Sequence, residues 1–428
     1  MLKHLHLMWL QHIAKDLRIR MVRFFDAQDF GGVSFLLFLS VLIGLGGSLG
    51  AAGFRWLIDT FHDLFLVQTL YLLGHPYWLP LITALGSLLV GLIVTQWAIE
   101  ARGRGVSEVM AAVATQEGHI RPRVVIVKAL ASALCIGSGG SVGREGPIVQ
   151  IGSAFGSSLG QFFRIPGAQL RILVGCGAAA GISATFNAPL AGALFALEVI
   201  LGDFTVSTFS PIILSSVLAN AFTHHLVGSE TAFLVPDYHM ASFYELFLYT
   251  GLAVLAAIAG VAFTRFLYFI EDKFEKVALP DSVKSIIGGA LVGCLGIFVP
   301  QVLGVGYGAI TDVLLNQTGL SWILVFLVAK YIATSITLGS GGSGGVFAPS
   351  LFLGAMLGNA YGQAANLLFP YTTGGPGAYA LVGMGALVAG TTHAPLTAML
   401  ILFEMTGSHQ IILPLMLATV ISTLVAKR

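Results

Sequence analysis

Apolar residues gather in long runs along this chain. The segments 33–54, 78–98, 244–263, 286–299 and 322–329 are almost free of charge. A helix needs about 20 such residues to cross a bilayer, so these runs predict membrane-embedded helices. Other apolar stretches are shorter and broken by glycine or proline, which predicts helices that enter or cross the membrane only in part. The first thirty residues differ. They are basic and amphipathic, with no apolar core behind a charged tip, and predict a surface helix rather than a cleavable signal peptide.

The runs are organised as a repeat. Gly137-Ser138-Gly139-Gly140-Ser141-Val142-Gly143-Arg144-Glu145-Gly146-Pro147 returns as Gly339-Ser340-Gly341-Gly342-Ser343-Gly344-Gly345-Val346-Phe347-Ala348-Pro349, identical at seven of eleven positions. Gly152, Gly156, Gly160 and Gln161 fall on Gly354, Gly358, Gly362 and Gln363, and Lys128 falls on Lys330. Further on, Ala188-Pro189-Leu190 through Glu198 aligns with Ala394-Pro395-Leu396 through Glu404. Duplicated glycine-rich breaks in an apolar chain point to a transport site between two halves. We therefore divide the chain into a cytoplasmic N-terminal helix (1–30), a first membrane repeat (31–226), an extracytoplasmic linker (227–243) and a second membrane repeat (244–428), with no soluble domain expected after the last span. The fold class expected is an all-α polytopic membrane protein of tilted and broken helices in two inverted repeats.

Composition agrees: 56% of residues are hydrophobic and 10% charged, with mean hydropathy +0.88, where soluble domains carry about a quarter charged residues. The net charge of +1 gives no reason to expect a nucleic-acid partner. Basic residues precede the first span and end the chain at Lys427 and Arg428, and 102–123 and 265–284 are also basic. The positive-inside tendency places all of these, and both termini, in the cytoplasm of a cell whose inner membrane holds the protein. Cys135, Cys176 and Cys294 lie in apolar stretches without CxxC spacing and predict buried small hydrophobes, with neither metal nor cofactor.

Each glycine-rich break runs into a proline, Pro147 or Pro349, which suits the first helical position. The preceding residues then offer free backbone N–H groups at a positive helix end, a ready anion site. The Gly-x-x-x-Gly spacings behind them fit close helix packing. Glu145 is a carboxylate at such a helix start inside a membrane, which is costly unless paired or functional. Either Arg144 pairs with it structurally, or the carboxylate occupies the anion site and leaves it on protonation.

Gly143-Arg144-Glu145-Gly146-Pro147, Gly345-Val346-Phe347-Ala348-Pro349 and the block 177–198 with Asn187-Ala188-Pro189 together resemble signature motifs of the CLC chloride channels and chloride/proton exchangers. The resemblance covers residues 35 to the end. It implies a lipid-embedded homodimer with one anion pathway per subunit, carrying chloride and similar small anions together with protons. It assigns Glu145 as the gate and proton acceptor, and anion-binding positions at Gly103, Arg104, Gly105, Arg144, Gly146, Val346 and Phe347.

Three features depart from the family pattern. Its first filter loop usually reads Gly-Ser-Gly-Ile-Pro, whereas this chain has Gly103-Arg104-Gly105-Val106-Ser107. Arg104 either draws anions into the inner vestibule or snorkels to the surface. Val199 stands where exchangers carry an inner proton-transfer acid, with Glu198 beside it as a structural or secondary proton site. The family's pore tyrosine would fall beyond Arg428. Lys128 and Lys330 either add positive potential around the pathway or reach water at helix ends.

The expected activity is therefore anion transport gated by Glu145, with chloride/proton exchange, rather than an enzyme. Two readings oppose it: a passive chloride channel without proton coupling, and an intramembrane serine protease. The latter needs one serine set against one base, whereas Ser138 and Ser141 have repeat partners in Ser340 and Ser343. A transporter of organic anions is a further alternative.

Overall fold

A computed structural model describes residues 31–228, 233, 238, 242–370, 373–407 and 411–428. The expected N-terminal helix and most of the expected linker lie outside these residues. The described chain is helical. In the first half, α1 (Gly31–His62) continues through a π-helical turn (Asp63–Gln68) into a last turn at Thr69–Leu73. It is followed by α2 (Leu79–Trp97), α3 (Val106–Thr115), α4 (Arg123–Gly137), α5 (Glu145–Phe163), α6 (Gly167–Phe186), α7 (Pro189–Phe195) and α8 (Val206–Val227). The second half repeats the series with α9 (Glu245–Lys276), α10 (Asp281–Phe298), α11 (Tyr307–Leu314), α12 (Leu320–Gly339), α13 (Phe347–Leu368), α14 (Pro376–Thr392), α15 (Pro395–Thr406) and α16 (Ile412–Ala426).

Seven helices among the described residues are long and apolar enough to cross a membrane, while α3, α7 and α11 are short. Helices α6 and α14 are apolar all round and buried on nearly every side, as expected for segments enclosed by other helices. Glycines allow this. A Cβ on Gly152 would stand 2.2 Å from the Gly177 carbonyl oxygen, and one on Gly354 would stand 2.5 Å from that of Gly383. The α5–α6 and α13–α14 backbones thus touch directly, the small-residue packing that substitutes for hydrophobic driving force in lipid. Cys135 and Cys176 are buried, but Cys294 is exposed. Its helix α10 turns only its glycine-rich face inward, so apolar surroundings in sequence meant lipid rather than core there.

The halves are bonded crosswise with the exchange symmetry of a two-fold axis. The Glu404 carboxylate accepts hydrogen bonds from the Leu190 and Ala191 N–H groups at the start of α7 (3.0 and 2.7 Å). Glu198 does the same for Leu396 and Thr397 at the start of α15 (3.2 and 2.7 Å). Each carboxylate therefore caps the other half's helix, where the dipole and unpaired N–H groups favour a negative charge. The serines follow the same rule. Ser141 Oγ donates to the Val302 carbonyl and Ser343 Oγ to that of Ala101, both at 2.7 Å.

Loss of such a cap costs about 0.5–2 kcal/mol. Glu404→Ala should therefore lower the thermal unfolding midpoint of the detergent-solubilised protein, followed by intrinsic fluorescence, whereas Glu404→Asp should recover part of the loss. An unchanged midpoint in Glu404→Ala would show that the cap does not support the fold.

Candidate functional site

Four loops meet at the centre of the molecule: 102–105 before α3, 138–144 before α5, 303–306 before α11 and 340–346 before α13. Backbone bonds tie them together. Gly143 and Gly345 exchange N–H···O bonds of 2.8 and 2.7 Å as an antiparallel bridge. Gly103 accepts from Gly344 N–H at 3.2 Å across a parallel one. Only glycine tolerates the turns, since Gly139 and Gly341 take φ of +102° and +106°. Crowding makes the same demand, because a Cβ on Gly146 would sit 2.0 Å from the Arg104 carbonyl oxygen.

Lys128 and Lys330 brace the two outer loops. Both are fully buried. Lys128 Nζ donates to the carbonyls of Ala101 and Gly103 (3.1 and 2.9 Å), and Lys330 Nζ to those of Val302 and Gly304 (3.0 and 2.9 Å). Neither ammonium reaches water. Each amine lies against the carbonyls of its loop and fixes them in place.

The helix starts differ slightly from expectation. Helices α5 and α13 begin at Glu145 and Phe347, so Pro147 and Pro349 occupy the third helical position rather than the first. Proline is still accommodated there, because the first-turn N–H groups have no partner within the helix. Among the described residues no hydrogen bond is found for the N–H groups of Gly146, Val346 or Phe347.

Glu145 lies among these amides with 1% of its surface exposed. Its Oε2 accepts a bond from Ala348 N–H at 3.3 Å, at the start of α13. Its Oε1 accepts one from the Tyr307 hydroxyl at 2.7 Å. The carboxylate thus sits on the positive end of the other half's helix. Arg144 does not pair with it. The Arg144 guanidinium lies over the Tyr307 ring, 5.1 Å from its centroid, and faces a separate small cavity with Arg55 and Thr185.

A cavity of about 200 Å³ reaches this point, lined by Arg104, Glu145, Gly146, Val199, Val346 and Phe347 among others. Among the described residues Arg104 is the only cationic residue that lines it and Glu145 the only acidic one. Val199 contributes an apolar surface, from a π-helical turn (Ala196–Leu201). Glu198 does not line the cavity, because its carboxylate is spent on the start of α15. Gly103 and Gly105 shape the loop that holds Arg104, and Gly105 has φ of +88°.

Tyr307 went unnoticed in the sequence. The signal was present: Gly304-Val305-Gly306-Tyr307 is the repeat counterpart of Gly103-Arg104-Gly105-Val106. Two glycines in four residues made a weak match alone, and only the Lys128/Lys330 braces mark the loops as equivalent.

Residues 86–427 match the family model described as voltage gated chloride channel. A chloride channel protein described as ClcB-like from Ralstonia nicotianae is 37% identical over 398 residues, 90% of this chain and 92% of that protein. The H(+)/Cl(-) exchange transporter ClcA of Vibrio campbellii is 35% identical, covering 82% of this chain and 77% of its own. Among solved structures, a slow cyanobacterial Cl-/H+ antiporter superimposes with a TM-score of 0.84 at 27% identity, covering 92% of this chain and 94% of that one. A multi-pass array of apolar helices, carrying the family's sequence over most of its length, establishes that the chain belongs to the voltage gated chloride channel family.

Proposed function

We propose that this chain exchanges chloride for protons across a membrane, with Glu145 as both the gate of the anion pathway and the proton carrier. The observation that carries the reading is the seat of the Glu145 carboxylate, on Ala348 N–H at the start of α13 and beside the unpaired amides of Gly146, Val346 and Phe347. An anion entering by the cavity meets the same positive helix ends, so ion and carboxylate compete for one place. Protonation removes the charge that holds the side chain there. The neutral side chain leaves, the anion moves in, and the proton is released on the other side when the carboxylate returns. Relatives named as H(+)/Cl(-) exchangers support coupling over a passive pore.

The inner end works without an acid at Val199. Protons reach Glu145 through water in the cavity, whose lining at that point offers the hydroxyls of Ser107, Thr391 and Thr392. Anion contacts fall to the N–H groups of Gly146, Val346 and Phe347, with Gly103, Arg104 and Gly105 forming the inner loop and Arg144 adding positive potential from behind Tyr307. The repeats span 31–226 and 244–428, with both termini cytoplasmic in an inner membrane. Two copies pair through the exposed apolar residues of α7, α8, α15 and α16, including Leu190, Val217, Leu396, Met416 and Val420.

Glu145→Gln mimics the protonated side chain. Chloride flux into liposomes should persist in this variant, lose its activation at low pH, and no longer drive proton uptake against a gradient. Acid activation equal to that of the parent would remove Glu145 as the gate.

Tyr307→Phe deletes one hydrogen bond to a carboxylate, worth about 1.5–3 kcal/mol. With the closed position weakened, flux at neutral pH should rise toward the level of Glu145→Gln. A fall in flux, with unchanged pH dependence, would assign the hydroxyl to some other step.

Tryptophan at Leu190 and Val420 together should convert a cross-linkable dimer into monomers in membranes. A parent protein that cross-links only as a monomer would contradict the pairing.

A further inference from the structure

Arg104, the one cationic residue among the described residues that lines the anion cavity, has its guanidinium already occupied. Its Nη2 donates to Glu271 Oε2 at 2.7 Å, and its carbon lies 4.3 Å from the centroid of the Tyr268 ring. Tyr268 and Glu271 are three residues apart on α9, on one face of its last turns. They hold the guanidinium by its edge and by its plane, which Arg allows and Ser at this position does not. Anchoring the loop does not need this pair. Arg102, two residues earlier, bonds Asp281 at 3.1 Å, and Lys128 binds the loop carbonyls from behind.

We propose that Glu271 is a built-in competitor for the transported anion at Arg104, so that it lowers chloride affinity at the inner end of the pathway. The proposal rests on anion transport through this cavity. A chloride ion drawn to Arg104 meets a guanidinium whose charge is neutralised by a carboxylate within hydrogen-bond distance. The ion must share the donors with Glu271 or displace it. The pair is partly exposed, with side-chain accessibilities of 21% for Arg104 and 38% for Glu271. Solvent therefore keeps the interaction weak enough to exchange with an anion. The two ends of the pathway then use one device, a carboxylate of the chain standing in for the ion: Glu145 on helix amides, Glu271 on a guanidinium. Arg104 in this loop thereby provides a chloride site of lower affinity than an unpaired guanidinium would.

Chloride titration of the purified full-length protein by calorimetry, together with chloride flux in liposomes, tests this. Glu271→Gln should tighten chloride binding about two- to fivefold, the range of a partly exposed ion pair, and slow flux at saturating chloride. Asp272→Asn removes the same charge from the adjacent, exposed position and should leave affinity unchanged. In an Arg104→Ser background, or Arg104→Gln if the serine variant is unstable, Glu271→Gln should have no effect. Equal affinity in Glu271→Gln and the parent overturns the proposal, as does a gain that persists without Arg104 or is reproduced by Asp272→Asn. A parent that binds chloride and responds to Glu145→Gln, while ignoring Glu271→Gln, retains the transport reading and loses this one. A parent that neither binds nor moves chloride loses both.

Discussion

Two helices that begin deep inside the protein, with their N-termini converging from opposite halves, impose the central constraint on this molecule. The first turns of α5 and α13 leave amides without intrahelical partners. In water that shortfall is met by solvent, but in an apolar interior each unpaired donor costs free energy. The site therefore favours a negative group. In this structure that is the Glu145 carboxylate, seated on Ala348 N–H. The anion binding and gating we propose both rest on this one deficit of hydrogen-bond acceptors.

The rest of the architecture keeps that deficit in place. Reciprocal N–H···O bonds between Gly143 and Gly345 fix the approach of the two breaks. Lys128 and Lys330 occupy the loop carbonyls from behind. Ser141 and Ser343 cross to the Val302 and Ala101 carbonyls of the opposite half, and Glu198 and Glu404 cap each other's neighbouring helices. Every one of these contacts occurs twice because the chain is a repeat. The site differs from them in being asymmetric: Glu145 corresponds to Phe347 in the repeat, and Arg104 to Val305. The structural contacts keep the two-fold relation, whereas the positions proposed to handle the ion do not.

That divergence separates structure from function along the anion path. A symmetric pathway would bear equivalent groups at both ends. Here the Glu145 carboxylate stands on the Ala348 N–H, and the Arg104 guanidinium is held by Tyr268 and Glu271. Between them the wall at Val199 is apolar. Among the described residues that line the cavity, Glu145 is the one acid, and the proposed acid–base chemistry falls to it.

Much of this was legible in the amino-acid order. Apolar runs of about 20 residues mark the chain as helical and membrane-embedded, because in lipid only helices and closed barrels satisfy the backbone, and barrel strands are about half as long and alternate. The repeat determines that there are two related halves, and the glycine–proline breaks mark where helices start inside. Glu145 stood out because an acid in such a place is costly without a purpose. The partners of these residues were not legible. Nothing local to Glu145 predicts Tyr307, 162 positions away, nor does the Gly103-Arg104-Gly105 loop indicate that Glu271 of α9 reaches its arginine. Arg144 adjoins Glu145 in sequence and yet turns away from it onto Tyr307. Neighbours along a helix start point in different directions, so adjacency in sequence does not set pairing. Which side chains meet is decided by how the helices cross, and that is settled only when the two halves close on one another.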